Sequence, residues 1–112
     1  MAQVHRVTDA VTRTEEGNGS TEVTVTLSVG ANEVAVIDAI YYSYITAPTG
    51  GAISTSGLSG DELALQVSNA GAHEMIPPGG LYGSKGSNIV VTLANASLAA
   101  KLFVVYHVGI EV

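Results

Sequence analysis

Apolar residues occupy alternate positions over most of this chain. In Thr21–Val29, Val23, Val25, Leu27 and Val29 share one parity, and Glu22, Thr24, Thr26 and Ser28 share the other. This is the period of a half-buried strand, and β-branched residues on both faces favour it. Gly30 and Asn32 supply the following turn. Glu33–Ile45 predicts a longer strand of another kind. Val34, Val36, Asp38, Ile40, Tyr42 and Tyr44 lie on one parity, and Ala35, Ile37, Ala39, Tyr41 and Ile45 on the other, so both faces are apolar. Thr46–Gly60 reads as a polar, glycine-rich loop. Asp61–Ser68 alternates again, with Leu63, Leu65 and Val67 inward. Ala72–Ile76 predicts a short strand, which Pro77-Pro78-Gly79-Gly80 ends because proline cannot continue a ladder. Leu81–Ser87 is a turn-rich connection. Ile89, Val91 and Leu93 mark the next strand, Asn95–Ala100 a turn, and Lys101–Val112 the clearest strand of all. In that last strand Leu102, Val104, Tyr106, Val108, Ile110 and Val112 line one face, and Lys101, Phe103, Val105, His107, Gly109 and Glu111 the other.

With a further piece around Val4–Val7, this amounts to seven or eight strands at a spacing of roughly 8–12 residues, and no long helix. The fold class expected is all-β, an antiparallel β-sandwich, and eight short strands in two sheets make a single jelly roll. The charged stretch at the start suggests an N-terminal arm over residues 1–19, and residues 20–112 form a single β-sandwich domain.

Composition changes the picture in one respect. Of 112 residues only 12% are charged, about half the usual fraction of roughly 25%. Either small polar residues coat the surface or other subunits cover it. The net charge of -6 argues against nucleic acid as a partner. There is no cysteine for a disulfide or a thiolate metal site. No apolar run reaches the roughly 18 residues of a membrane span. The opening MAQVHRVTDAVTRTEE does not read as a secretory leader, so the protein is expected to be made and kept in a cytoplasm, or to leave it by lysis or an unusual route.

Candidate chemistry is thin. His5, His73 and His107 stand at no ligand spacing such as HxH or HxxxH. His73 and Glu74 are adjacent, so a strand sends them to opposite faces. His107 reads as an ordinary strand residue. Asp38 sits alone in the most apolar strand; it either pairs with Lys or Arg, faces a turn or interface, or acts as a catalytic acid. Asp61-Glu62 lacks the spacing of a calcium loop, and GGLYGSKGS lacks that of a phosphate loop. The expectation is therefore no enzyme, no catalytic, cofactor or metal site, and no cofactor.

The tyrosines say more. Aromatic side chains on an exposed sheet face serve protein contact or sugar stacking, while in a sheet's interior they fill the core. The stretch AIYYSYI (Ala39–Ile45) is β-prone and uncharged, and would aggregate as a free edge, so it belongs at the centre of a sheet with its second face covered. Tyr41, Tyr42 and Tyr44, with Phe103 and Val105, are the candidate subunit interface, and a homo-oligomer is expected. The alternative is a carbohydrate-binding β-sandwich using Tyr41, Tyr42, Tyr44 or Tyr82; the lack of tryptophan weakens it.

The order ANEVAVIDAIYYSYI, DELALQVS, IPPGG and IVVTLANASLAAKLFVVYHVGIEV resembles the small single jelly-roll proteins of tailed bacteriophages and archaeal viruses, which serve as head-decoration (cement) or minor virion proteins. The resemblance spans about Thr21 to Val112. It implies a homo-oligomer, such as a trimer, that stabilises a viral capsid without catalysis. Its partners would be itself and the major capsid protein, with no nucleic acid and no membrane, and its location the virion.

Overall fold

The computed structural model describes residues 7–19, 22–94 and 100–111, with side chains described over 22–94 and 100–110. The elements are β1 (Val7–Gly19), β2 (Val23–Leu27), β3 (Glu33–Tyr44), β4 (Gly51–Ser56), β5 (Ala64–Val67), β6 (Gly71–Met75), β7 (Leu81–Tyr82), β8 (Ile89–Ala94) and β9 (Ala100–Glu111). One sheet runs β1-β9-β3-β6, with the two-residue β7 also on β3; the other runs β2-β8-β4-β5. The pairs β1·β9, β2·β8, β3·β6 and β4·β5 are all antiparallel and nested. A long hairpin has been rolled up, so that β9 also pairs with β3 and β8 with β4. That is the single jelly roll expected, an antiparallel β-sandwich.

Alternation drives the packing. Val23, Val25 and Leu27 of β2, Ile89, Val91 and Leu93 of β8, and Leu102, Val104, Tyr106 and Val108 of β9 meet between the sheets and are buried. Thr24 and Thr26 face out. Full burial of each such aliphatic side chain stabilises by roughly 1.5–3 kcal/mol, so these rows hold the two layers together.

Two expectations are corrected. Residues 7–19 are not a separate arm: β1 pairs along the full length of β9, from Val7↔Glu111 to Gly19↔Ala100. The charges at Asp9, Arg13, Glu15 and Glu16 suit an edge strand, where charge discourages pairing with foreign strands. The stretch Thr46–Gly60 is not all loop, because it contains β4 between β8 and β5. One of its small residues, Gly51, is a packing requirement. A Cβ on Gly51 would stand 2.6 Å from Pro48 Cγ and 2.7 Å from the Val67 carbonyl oxygen, so a larger residue could not pass there. Ile53 alone gives β4 a large core side chain, and Thr55 is buried beside it. The pieces expected at Val4–Val7 and Asn95–Ala100 lie mostly outside the described residues, and His5 lies wholly outside them.

The double apolarity of β3 has a local cause. Its register against β9 runs Ile37↔Tyr106 and then Ala39↔Val105, leaving Asp38 as an extra residue. A bulge of this kind changes which parity faces inward. Ala35 and Ile37 point into the core before it, and Ile40 and Tyr44 after it.

Candidate functional site

The bulge decides which tyrosines reach the surface. Past Asp38 the even positions face the core, so Tyr44 is only 3% exposed and packs with the buried cluster. Its hydroxyl donates to the Ala94 carbonyl oxygen of the other sheet at 2.5 Å. Burial raises the Tyr44 pKa above its ordinary value of 10.0. Tyr44 was expected at a subunit interface; its ring is instead a core residue that ties the sheets together. Tyr42 shares that parity and is half-buried against the core. It stacks on His73 of β6, with ring centroids 5.1 Å apart, because Tyr42 and His73 are register partners. The His73 Nε2 lies 3.1 Å from the Asn69 carbonyl oxygen.

Tyr41, Phe103 and Val105 occupy the opposite, outer face of the β1-β9-β3-β6 sheet. Two cross-strand rows form there. One is Glu74–Tyr41–Phe103, and the other Ala72–Ser43–Lys101. Together with Tyr42 and His73 they line an open groove of about 490 Å³. The Tyr41 and Phe103 rings are tilted at 52°, with centroids 6.3 Å apart. Tyr41 is 37% exposed. Ile45 and Ile76 follow β3 and β6 at positions that continue this parity, and they are the most exposed large apolar residues described, at 66% and 61%. Glu74 and Lys101 are exposed on either side of the aromatic pair.

The other end of the same face is closed by the chain itself. Gly80, at φ 82°, lets the Pro77–Gly80 turn lie on β3; a Cβ there would come within 2.6 Å of Val36 Cγ1. Gly83 and Gly86 donate backbone hydrogen bonds to the carbonyls of Ala35 and Glu33. Tyr82 of β7 pairs beside Val36, away from the groove. Between the closed and open ends stand Asp38 and His107. The imidazole Nδ1 lies 3.0 and 2.9 Å from the two carboxylate oxygens. Neither Lys nor Arg pairs with Asp38 among the described contacts; its partner is the histidine read as an ordinary strand residue. On β3 and β9 the register neighbours Val36, Ala39 and Val105 carry no hydroxyl, thiol or amine; on β1 the register partner of His107 is Thr12.

The signal in the sequence for the Asp38–His107 pair was the single carboxylate in a strand apolar on both parities; the switch of the core-facing parity at Asp38 is seen only in the packing.

Elsewhere, Glu62 organises a turn. It accepts from the Gly57 and Leu58 amides and from the Thr55 hydroxyl, at 3.1–3.3 Å. Thr55 Oγ1 in turn accepts from the Leu63 amide at 2.8 Å. Among the described residues no group of three or more His, Asp or Glu side chains gathers as a metal site would require. No helix among them is long and apolar enough to cross a membrane.

No protein-family model matches the chain, and no curated protein matches it. Some solved structures are similar to it over most of the chain, at low identity. A subunit of the Bacillus endospore appendages, a family of disulfide-linked pili, is similar with a TM-score of 0.48 and 12% identity, over 90% of this chain and 88% of that one. The virus-like particle protein of the Macrobrachium rosenbergii extra small virus gives a TM-score of 0.35 and 14% identity, over 96% and 83%. The carbohydrate-binding module TmCBM61, solved with β-1,4-galactotriose, gives 0.43 and 14%, over 91% and 70%.

Proposed function

We propose that this chain is a non-enzymatic structural protein, a jelly-roll subunit that assembles through the outer face of its β1-β9-β3-β6 sheet. The contrast between the two outer faces carries this reading. The face of β2-β8-β4-β5 presents Thr24, Thr26, Thr92, Ser54 and Ser56, with Val90 and small alanines. Such a surface is wetted by its own hydroxyls. The other outer face presents Tyr41, Phe103, Val105, Ile45 and Ile76, with Asp38, Glu74 and Lys101 around them. Contiguous exposed apolar surface of this kind marks an interaction site. The resemblance in strand order to head-decoration proteins supports a virion as the setting and the major capsid protein as the second partner. Assembly would stabilise the bound shell by mass action, since each contact exists only in the associated state. Sedimentation velocity at micromolar concentration tests the core of the reading. A self-associating wild type and a monomeric Tyr41→Ala support it, and a monomeric wild type overturns it. Co-sedimentation with virus particles tests the setting.

The groove favours one other reading, a carbohydrate-binding module. Tyr41 offers a ring face, and Ser43, Glu74 and Lys101 offer hydroxyl, carboxylate and ammonium around it. A glycan array separates the two. Sugar binding that Tyr41→Ala removes, in a protein that stays monomeric, selects the second reading.

A further inference from the structure

We infer that the open end of this outer face is self-complementary, and that it pairs with the same face of a second copy about a two-fold axis, with Lys101 of one protomer against the partner's Glu74. This inference rests on the assembly reading above and names its occupant and its specificity-determining residues.

The placement of charge is the reason. Glu74 on β6 and Lys101 on β9 lie on opposite sides of β3. Strand spacing puts them about 10 Å apart across the sheet, and their offset of two residues adds about 7 Å along it. Both are exposed, and no ion pair joins them among the described residues. Tyr41 and Phe103 fill the space between. Over β3, β6 and β9 the patch therefore has an apolar aromatic centre with Glu74 at one corner and Lys101 at the other; β1 flanks it, with Glu16 as the register partner of Phe103.

An acidic partner would satisfy Lys101 and repel Glu74, and a basic partner would do the reverse. A second copy brings both charges. A two-fold contact uses one patch on each side, so that every contact occurs twice. An axis lying in the plane of contact and passing between Tyr41 and Ser43 exchanges the positions of Glu74 and Lys101. Two symmetric ion pairs then close the ends of the contact, and the Tyr41 rings of both protomers come near the axis. The net charge of -6 on each copy makes such local matching necessary, because the long-range force between copies is repulsive. Lys101 is one of only 4 basic residues in the chain, and it stands on this face.

The experiment is a charge swap read by sedimentation and native mass spectrometry. Wild type is expected as a dimer. Lys101→Glu and Glu74→Lys should each weaken association by roughly tenfold or more, through like-charge juxtaposition. The double variant Lys101→Glu/Glu74→Lys should return to within about threefold of wild type, as coupled residues in contact do. At concentrations where all four proteins are monomeric their thermal melts should coincide, since both positions are exposed. Single reversals that leave association unchanged, a double variant that stays dissociated, or a trimeric native mass would overturn the two-fold pairing. In those cases loss of assembly in Tyr41→Ala still upholds the assembly reading. A monomeric wild type would overturn both.

Discussion

His107 Nδ1 lies 2.9 Å from Oδ2 and 3.0 Å from Oδ1 of Asp38, across the bulge that breaks the register of β3 on β9. A carboxylate only accepts, so the Nδ1–H donates and the tautomer is fixed by the contact. The pair is partly open to water, with side-chain exposures of 24% for His107 and 40% for Asp38. Its charge contribution to stability is therefore small, about 0.5 kcal/mol. The greater role of Asp38 is to be the extra residue. Asp38→Asn should melt within a few degrees of wild type. Deleting Asp38 should abolish cooperative folding, because either Val34–Ile37 or Ile40–Tyr44 must then turn its core set to solvent. Circular dichroism melts check both; a deletion that folds normally would show that the bulge does not set the register.

Tyr44 and Tyr41 should respond in opposite ways. Tyr44→Ala removes a buried ring and should cost about 3–5 kcal/mol in denaturant unfolding. Tyr41→Ala should cost less than about 1 kcal/mol, because its ring is substantially exposed, yet it should abolish association.

Tyr44 also predicts a pH dependence. Burial favours its neutral hydroxyl, raising the pKa in the folded state above 10.0. Below pH 10 both states hold the proton, and the contribution is fully present. As pH rises above 10 the unfolded chain ionises first, so stability falls. Tyr44→Phe should lose about 1 kcal/mol near neutrality, from the hydrogen bond to Ala94. It should also show a shallower loss than wild type in alkaline melts. Parallel alkaline curves would mean that Tyr44 does not titrate differently in the two states.

Much of the fold was legible in the chain, and the reason is visible strand by strand. β2, β8 and β9 keep strict alternation because each has one wet face and one dry face. β4 was not legible, because Gly51, Ala52, Ser54 and Ser56 look like loop residues; contact with Pro48 and the Val67 backbone explains the size of Gly51, and Ala52, Ser54 and Ser56 lie on the outer parity. The role of residues 7–19 was hidden in the same way, since a charged edge strand and a solvated arm share a composition. At the site, the sequence marked the aromatic cluster but split it wrongly. Without the bulge, Tyr42 and Tyr44 share a parity with Val34 and Val36; with it, they share the core with Ala35 and Ile37. Lys101, Glu74 and Ser43 join the face only through the pairing of β9 and β6 with β3, which no local pattern records.

Glu62 supplies a prediction away from that face. Its carboxylate serves the amides of Gly57 and Leu58, and no other described side chain does so. Glu62→Ala should destabilise by about 1 kcal/mol, since the hydrogen bonds from Thr55, Gly57 and Leu58 to this carboxylate are lost at a site that water can partly refill. Glu62→Gln should recover part of that loss. Gly57→Ala should be at least as damaging, because φ is 92° and a Cβ would meet the Asn88 carbonyl oxygen at 2.2 Å. Equilibrium unfolding in urea reads all three.

β6 is only five residues long, yet it is what separates Ile40–Tyr44 from the solvent on one edge. If β6 peels away, the most aggregation-prone segment of the chain becomes an open template with unsatisfied amides and carbonyls. Opening of this short flanking strand therefore exposes Ile40–Tyr44 to other chains before the sandwich as a whole unfolds, and fibrils grown from the protein are expected to carry that segment at their spine.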